Sequence, residues 1–132
     1  MNYDERQVWY DRFPSLAWTL RYSSRAPFVG KGWRPIVWDF LVDAEALCAE
    51  HGATLQVDQI KEKFGSLRIY YDVGVEGDCP AELTGAIRAR VSEACAKALK
   101  RCEDCASEED VKLRGSGWVK NICASCGELR PS

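Results

Sequence analysis

The chain carries Cys102-Glu103-Asp104-Cys105 and, after 17 further residues, Cys123-Ala124-Ser125-Cys126-Gly127. Two C-x2-C units separated by roughly 15 to 20 residues match the spacing of a tetrahedral four-thiolate zinc site. Each unit forms a knuckle whose two thiolates face one ion, so the intervening segment must leave and return. It can do so as a hairpin, with residues 111–114 leading out, Gly115-Ser116-Gly117 turning, and residues 118–122 leading back. The pattern predicts a zinc ribbon with Cys102, Cys105, Cys123 and Cys126 as ligands and Trp118 covering the knuckles. Four protein ligands leave no open coordination position. The zinc expected here is therefore a structural cofactor, contributing on the order of 10 kcal/mol to a segment too short for its own core.

Composition narrows the setting. A length of 132 residues supports one compact unit, read as an α+β core over 1–101 and a ribbon over 102–132 packed on the second helix. No apolar run approaches the ~18 residues of a membrane span, and Met1-Asn2-Tyr3-Asp4-Glu5-Arg6 lacks the layout of a secretory signal. A cytoplasmic protein without a membrane partner is expected. In that reducing compartment closely spaced cysteines more often bind metal than pair, and seven is in any case an odd number. A formal net charge of −2 allows basic patches but not the basic body that duplex DNA usually meets.

Periodicity supplies the other elements. Residues 4–13 can form a short helix ended by Pro14, and Leu16, Trp18, Leu20 and Tyr22 alternate as a short strand would. After Gly30-Lys31-Gly32, the three- and four-residue spacing of Val37, Phe40, Leu41, Ala44, Leu47 and Cys48 predicts a helix at about 34–50, stopped by Gly52. Leu55 and Val57, then Leu67, Ile69 and Tyr71, alternate on either side of Lys61-Glu62-Lys63-Phe64-Gly65-Ser66. They predict a hairpin with Phe64, Leu67, Ile69 and Tyr71 inward and Arg68 and Tyr70 outward. Residues 73–79 read as loop. Pro80 opens a second helix that runs to about 101 through Leu83, Ile87, Val91, Cys95 and Leu99. The fold class is α+β, with two main helices, a β-hairpin and a C-terminal four-cysteine ribbon.

Chemistry beyond the metal is sparse. The single histidine, His51, reads as a cation at a helix C-terminus, and Cys48 and Cys95 as small apolar core residues. There is no GxSxG, P-loop or HExxH, and Asp39 and Asp43 read as solvated surface, so no enzyme is expected. The N-terminal third concentrates aromatic rings and interleaves them with arginines, the residues that protein interfaces favour. A contact with another protein, or a homodimer contact, is expected there, through Trp9, Trp18, Arg21, Arg25 and Trp38. The alternative partner is nucleic acid, met by Arg88, Arg90, Lys97 and Arg101 with Lys112 and Lys120. Against it stand Glu103, Asp104, Glu108, Glu109 and Asp110 beside a doubly negative four-thiolate zinc, which repel phosphate.

Three segments are distinctive: Gly32-Trp33-Arg34-Pro35-Ile36-Val37, the stretch from Gln59 to Tyr71 reading QIKEKFGSLRIYY, and the paired C-x2-C units with Gly117-Trp118 before the second. In these the chain resembles a group of small uncharacterised proteins found in bacteria, phages and mobile elements. The likeness spans about residues 30–127. It implies a zinc-bearing module and a mobile-element setting, in which a protein that blocks a host or defence machine would be at home.

Overall fold

The computed structural model describes residues 3–17, 29–115 and 117–128. Trp18, Arg21 and Arg25, and the alternation expected through 18, 20 and 22, lie outside the described residues. Helix α1 spans Tyr3–Arg12 and passes through Phe13 into a 3-10 turn at Pro14–Leu16. Leu16, expected at the start of a strand, is in that turn and fully buried, because Pro14 at its head pre-sets the turn's first dihedral. A second 3-10 turn at Lys31–Trp33 leads into α2, Arg34–Glu50, with Pro35 in its first turn. Strands β1, Thr54–Lys63, and β2, Ser66–Gly74, are followed by α3 at Ala81–Leu99. The short strands β3, Lys112–Arg114, and β4, Lys120–Ile122, and the five-residue α4, Ala124–Glu128, complete the chain. The architecture is α+β, with two antiparallel hairpins. Among the described residues no helix is long and apolar enough to cross a membrane.

The β1–β2 hairpin lays one face against α2 and α3. Leu55, Val57, Ile60 and Leu67 are buried there among Val37, Phe40, Leu41, Leu83 and Ile87. Val57 and Ile60 are three residues apart, a spacing that strict alternation would send to opposite faces. A register shift between Val57 and Gln59 inserts an extra residue and returns Ile60 to the core. Both strands outrun the apolar alternation: Lys61–Lys63, expected in the connection, pair with Arg68, Leu67 and Ser66, and β2 continues to Gly74. The connection is only Phe64-Gly65, with φ of 52° and 79°, the left-handed pair of a type I′ turn. Phe64, expected inward, is consequently on the turn's outer surface and 67% exposed.

Aromatic packing closes the N-terminal end. Trp38 meets Trp9 and Phe13 edge-on, with ring centroids 4.9 and 4.6 Å apart. Such pairs contribute about 0.5–1.5 kcal/mol each beyond area burial. Trp9 is only 7% exposed. Its ring fills the core, which corrects its expected place on an exposed contact surface; Trp38 is half-buried beside it.

Candidate metal centre

The four cysteines of the two knuckles converge, with all their Sγ atoms within 4.8 Å of one another. Tetrahedral zinc with Zn–S of about 2.3 Å places its sulfurs roughly 3.8 Å apart. The Sγ atoms of Cys105 and Cys123, one from each knuckle, are 3.6 Å apart, close to that edge and far from a disulfide. The donor set thus fits a closed four-thiolate ion. Among the described residues no other group of cysteine, histidine or carboxylate side chains converges this way.

Backbone geometry prepares the sulfurs. Burial pushes the Cys102 thiol up, but the N–H groups of Cys123, Cys105 and Asp104 donate towards it and outweigh burial, lowering it to about 7. Cys126 is pushed the other way, by burial and by the three neighbouring thiols. Four thiolates at this distance repel one another unless a cation joins them, so metal entry must expel protons. The knuckles are fastened by Ala106 N–H to Cys102 O at 2.9 Å and Gly127 N–H to Cys123 O at 3.0 Å. Ile122 is fully buried beside Cys102 and Cys123, giving the ribbon a small core of its own.

The ribbon is tied to the rest of the chain at three places. Buried Asn121 donates its Nδ2 to the carbonyls of Leu99 at 2.8 Å and Ala98 at 3.3 Å, satisfying groups that the end of α3 leaves open. The turn before α2 forms the second tie. Gly32 N–H donates to Glu103 O at 2.6 Å, Gly30 N–H to Glu103 Oε2 at 2.7 Å, and the Trp33 indole N–H to Arg101 O at 2.8 Å. Gly32 allows this approach because any Cβ would overlap the Cys102 carbonyl. The third tie joins the hairpin tips. Gly65 accepts the Leu113 side chain against its Cα, and Glu62 receives Gly65 N–H at 2.8 Å and the Trp118 indole N–H at 3.3 Å.

These ties correct two expectations. Glu103, counted among the acids that repel phosphate beside the metal, is 2% exposed, and burial raises its carboxyl above the usual range. Trp118 does not cover the knuckles. It is 72% exposed, and its indole N–H donates to Glu62 on the first hairpin. Gly30, Trp33, Glu103 and Asn121 support the site although no local pattern marks them for that role. The clue to them was the placement of Gly32-Trp33 in a distinctive segment far along the chain from the cysteines.

The expected phosphate-binding stripe is largely neutralised. Arg90 pairs with Glu93 at 2.8 Å, Arg101 with Glu108 at 3.5 Å, and Lys120 with Asp104 at 2.8 Å. Arg88 lies on α3 beside Tyr71 and Thr84, while exposed Lys97 and Lys112 sit on separate elements. Cys48 is buried in the core, and His51 at the end of α2 places Nδ1 3.0 Å from Leu47 O.

Fold and centre together define a small α+β protein with a four-cysteine candidate metal site. No protein-family profile, curated protein or solved structure matches the chain.

Proposed function

We propose that this chain is a zinc-binding module whose ion is structural and whose work is contact with a macromolecular partner. The observation that carries the reading is the convergence of four thiols within 4.8 Å, on a ribbon hydrogen-bonded to α3, to the turn before α2 and to the first hairpin. A four-thiolate ion has no position for substrate or water, so its contribution is rigidity. What it makes rigid is the junction of the hairpins, where Phe64 and Trp118 are exposed side by side. Large exposed rings on a fixed support are characteristic of binding surfaces.

The protein or homodimer contact expected from the N-terminal third loses Trp9 to the core, so the hairpin junction is the better-supported location. The resemblance to mobile-element proteins supports an inhibitor of a host or defence machine as one form of such a module. Cysteines spaced for a metal rather than for bridges suit the cytoplasmic setting expected from the sequence.

Elemental analysis of protein purified without added metal tests the reading. One equivalent of zinc per chain is expected, lost together with the ribbon's amide protection in Cys102→Ser and Cys126→Ser. Well-folded protein carrying far less than one equivalent would refute it.

A further inference from the structure

The core-averted face of the β1–β2 hairpin has a composition that folding does not explain. Ile60 pairs with Ile69, and Glu62 with Leu67, on the inward side. The intervening pairs, Lys61 with Arg68 and Gln59 with Tyr70, point the other way. Lys61 Nζ stands 5.8 Å from the Tyr70 ring centroid, and at the turn Lys63 Nζ stands 6.0 Å from that of Phe64. Lys61, Lys63 and Arg68 thus form a basic strip interleaved with Tyr70 and Phe64.

Two features of this strip work against stability. Like charges directly opposite across an antiparallel pair are destabilising, yet Lys61 faces Arg68. Phe64 holds φ at 52°, a conformation unfavourable for a bulky side chain, while its ring remains 67% exposed. Strain and repulsion maintained without any return in burial point to a ligand. An anion would relieve the facing cations, and a flat apolar group would cover the rings. The ribbon adds a ring at the hairpin tip, where the strip ends: Trp118, 72% exposed and bonded to Glu62, borders a cleft of about 360 Å³ together with Phe64, Gly117 and Val119. Glu62 has its carboxylate engaged by Gly65 N–H and the Trp118 indole, while Asp58 and Asp72, beside Tyr70, are hydrogen-bonded to each other at the end of the strip away from the tip.

We propose that this face and the adjoining hairpin tip bind single-stranded nucleic acid, with Lys61, Lys63 and Arg68 tracking phosphates, Tyr70 stacking on the face, and Phe64 and Trp118 stacking at the tip. A basic groove with aromatic platforms is the chemistry that recognises single strands. The strip lies on one hairpin of a chain with net charge −2, which suits one flexible strand better than a duplex. The inference rests on the module reading above and assigns its partner. It also gives the zinc a purpose, since the ribbon it closes holds Trp118 beside Phe64.

The test is anisotropy titration of zinc-replete protein against fluorescein-labelled 20-nucleotide oligo-dT and oligo-U. Binding is expected, with a slope of log affinity on log salt near −2, about −0.7 for each of three cations. Phe64→Ala and Trp118→Ala should each weaken binding roughly 5- to 100-fold. A Lys61→Glu/Arg68→Glu double variant should lose more than tenfold and flatten the slope by about 1.4. Lys61, Phe64 and Arg68 take no part in holding the ribbon, so zinc content and thermal unfolding should stay unchanged in their variants and serve as folding controls; Trp118→Ala, which also removes the bond to Glu62, is compared at a temperature well below its own midpoint with its zinc content confirmed.

Absence of an anisotropy change with zinc-replete protein at low salt would overturn the proposal. So would unaltered affinity in the variants or equal affinity for a 20-base-pair duplex. Displacement by poly-L-glutamate as effective as displacement by unlabelled oligo-dT would also overturn it, and would assign the face to an acidic protein. Each of these leaves the zinc module standing; only a shortfall of zinc removes that.

Discussion

Replacing Gly32 by alanine is the sharpest test of how the ribbon is held, because it adds one methyl group and changes no charge. The new Cβ would overlap the Cys102 carbonyl oxygen and lie 2.6 Å from Ala106 N and 2.8 Å from Glu103 O. All three are backbone atoms of the first knuckle, which the Ala106 N–H to Cys102 O bond and the bonds to Glu103 hold in place, so no flexible side chain can yield. Relief requires the turn at residues 31–33 to withdraw, breaking Gly32 N–H to Glu103 O and straining the bond from Trp33 to Arg101 O. Overpacking costs about 1–3 kcal/mol and each lost hydrogen bond about 0.5–1.5 kcal/mol. The expected destabilisation is therefore about 2–5 kcal/mol, or roughly 8–20 °C in the unfolding midpoint at about 4 °C per kcal/mol. Zinc should also pass to a chelator faster than from the native chain. Gly85→Ala is the matched control: nothing lies within 4 Å of its Cβ, and it sits inside α3. That variant should gain about 0.5–1 kcal/mol from helix propensity. A Gly32→Ala protein that melts within 2 °C of native and keeps its zinc-release rate would show that the close approach of turn and knuckle is wrong.

Other expectations follow from the same contacts. Glu103→Ala leaves Gly30 N–H without its 2.7 Å partner in a buried place, and should cost about 1–3 kcal/mol by chemical denaturation. Glu103→Gln keeps an oxygen for that bond and carries no charge to desolvate, so at pH 7 it should equal or exceed the native chain in stability. The sign follows from the raised carboxyl of Glu103: its ionised form is disfavoured in the fold, so its contribution falls as pH rises through the raised value. Trp33→Phe removes the indole N–H that satisfies Arg101 O, and should cost about 1–3 kcal/mol while the fold persists. Zinc affinity, measured by chelator competition, should fall steadily on acidification, because four thiols must give up protons to the ion and compete with protons for it.

The helices and the ribbon were legible because each rests on a local rule. Four-residue spacing from Leu83 to Leu99 and the cap of the 34–50 stripe by Gly52 need no knowledge of neighbours, and the cysteine spacing carries the geometry of its ion. Places where the reading failed are those where tertiary contact outweighs local pattern. Phe64 looked like core because it is large and apolar, but a two-residue turn with positive φ at both positions leaves no inward direction for its ring. Glu103 was counted with the acids that repel phosphate, yet a turn 73 residues earlier in the chain covers it and supplies its hydrogen bond. Trp9 looked like an interface residue because arginines surround it, and Trp38 from α2 drew it into an aromatic cluster.

By itself, then, the amino-acid order determined which segments coil, which extend and which thiols meet, since those outcomes depend on spacing along the backbone. The folded arrangement decided which polar groups are buried, why Gly32 must lack a side chain, and that Trp118 stands beside Phe64 on the hairpin tips. These depend on distances between residues remote in the chain, which are fixed only when the ribbon, the hairpin and the turn before α2 pack together.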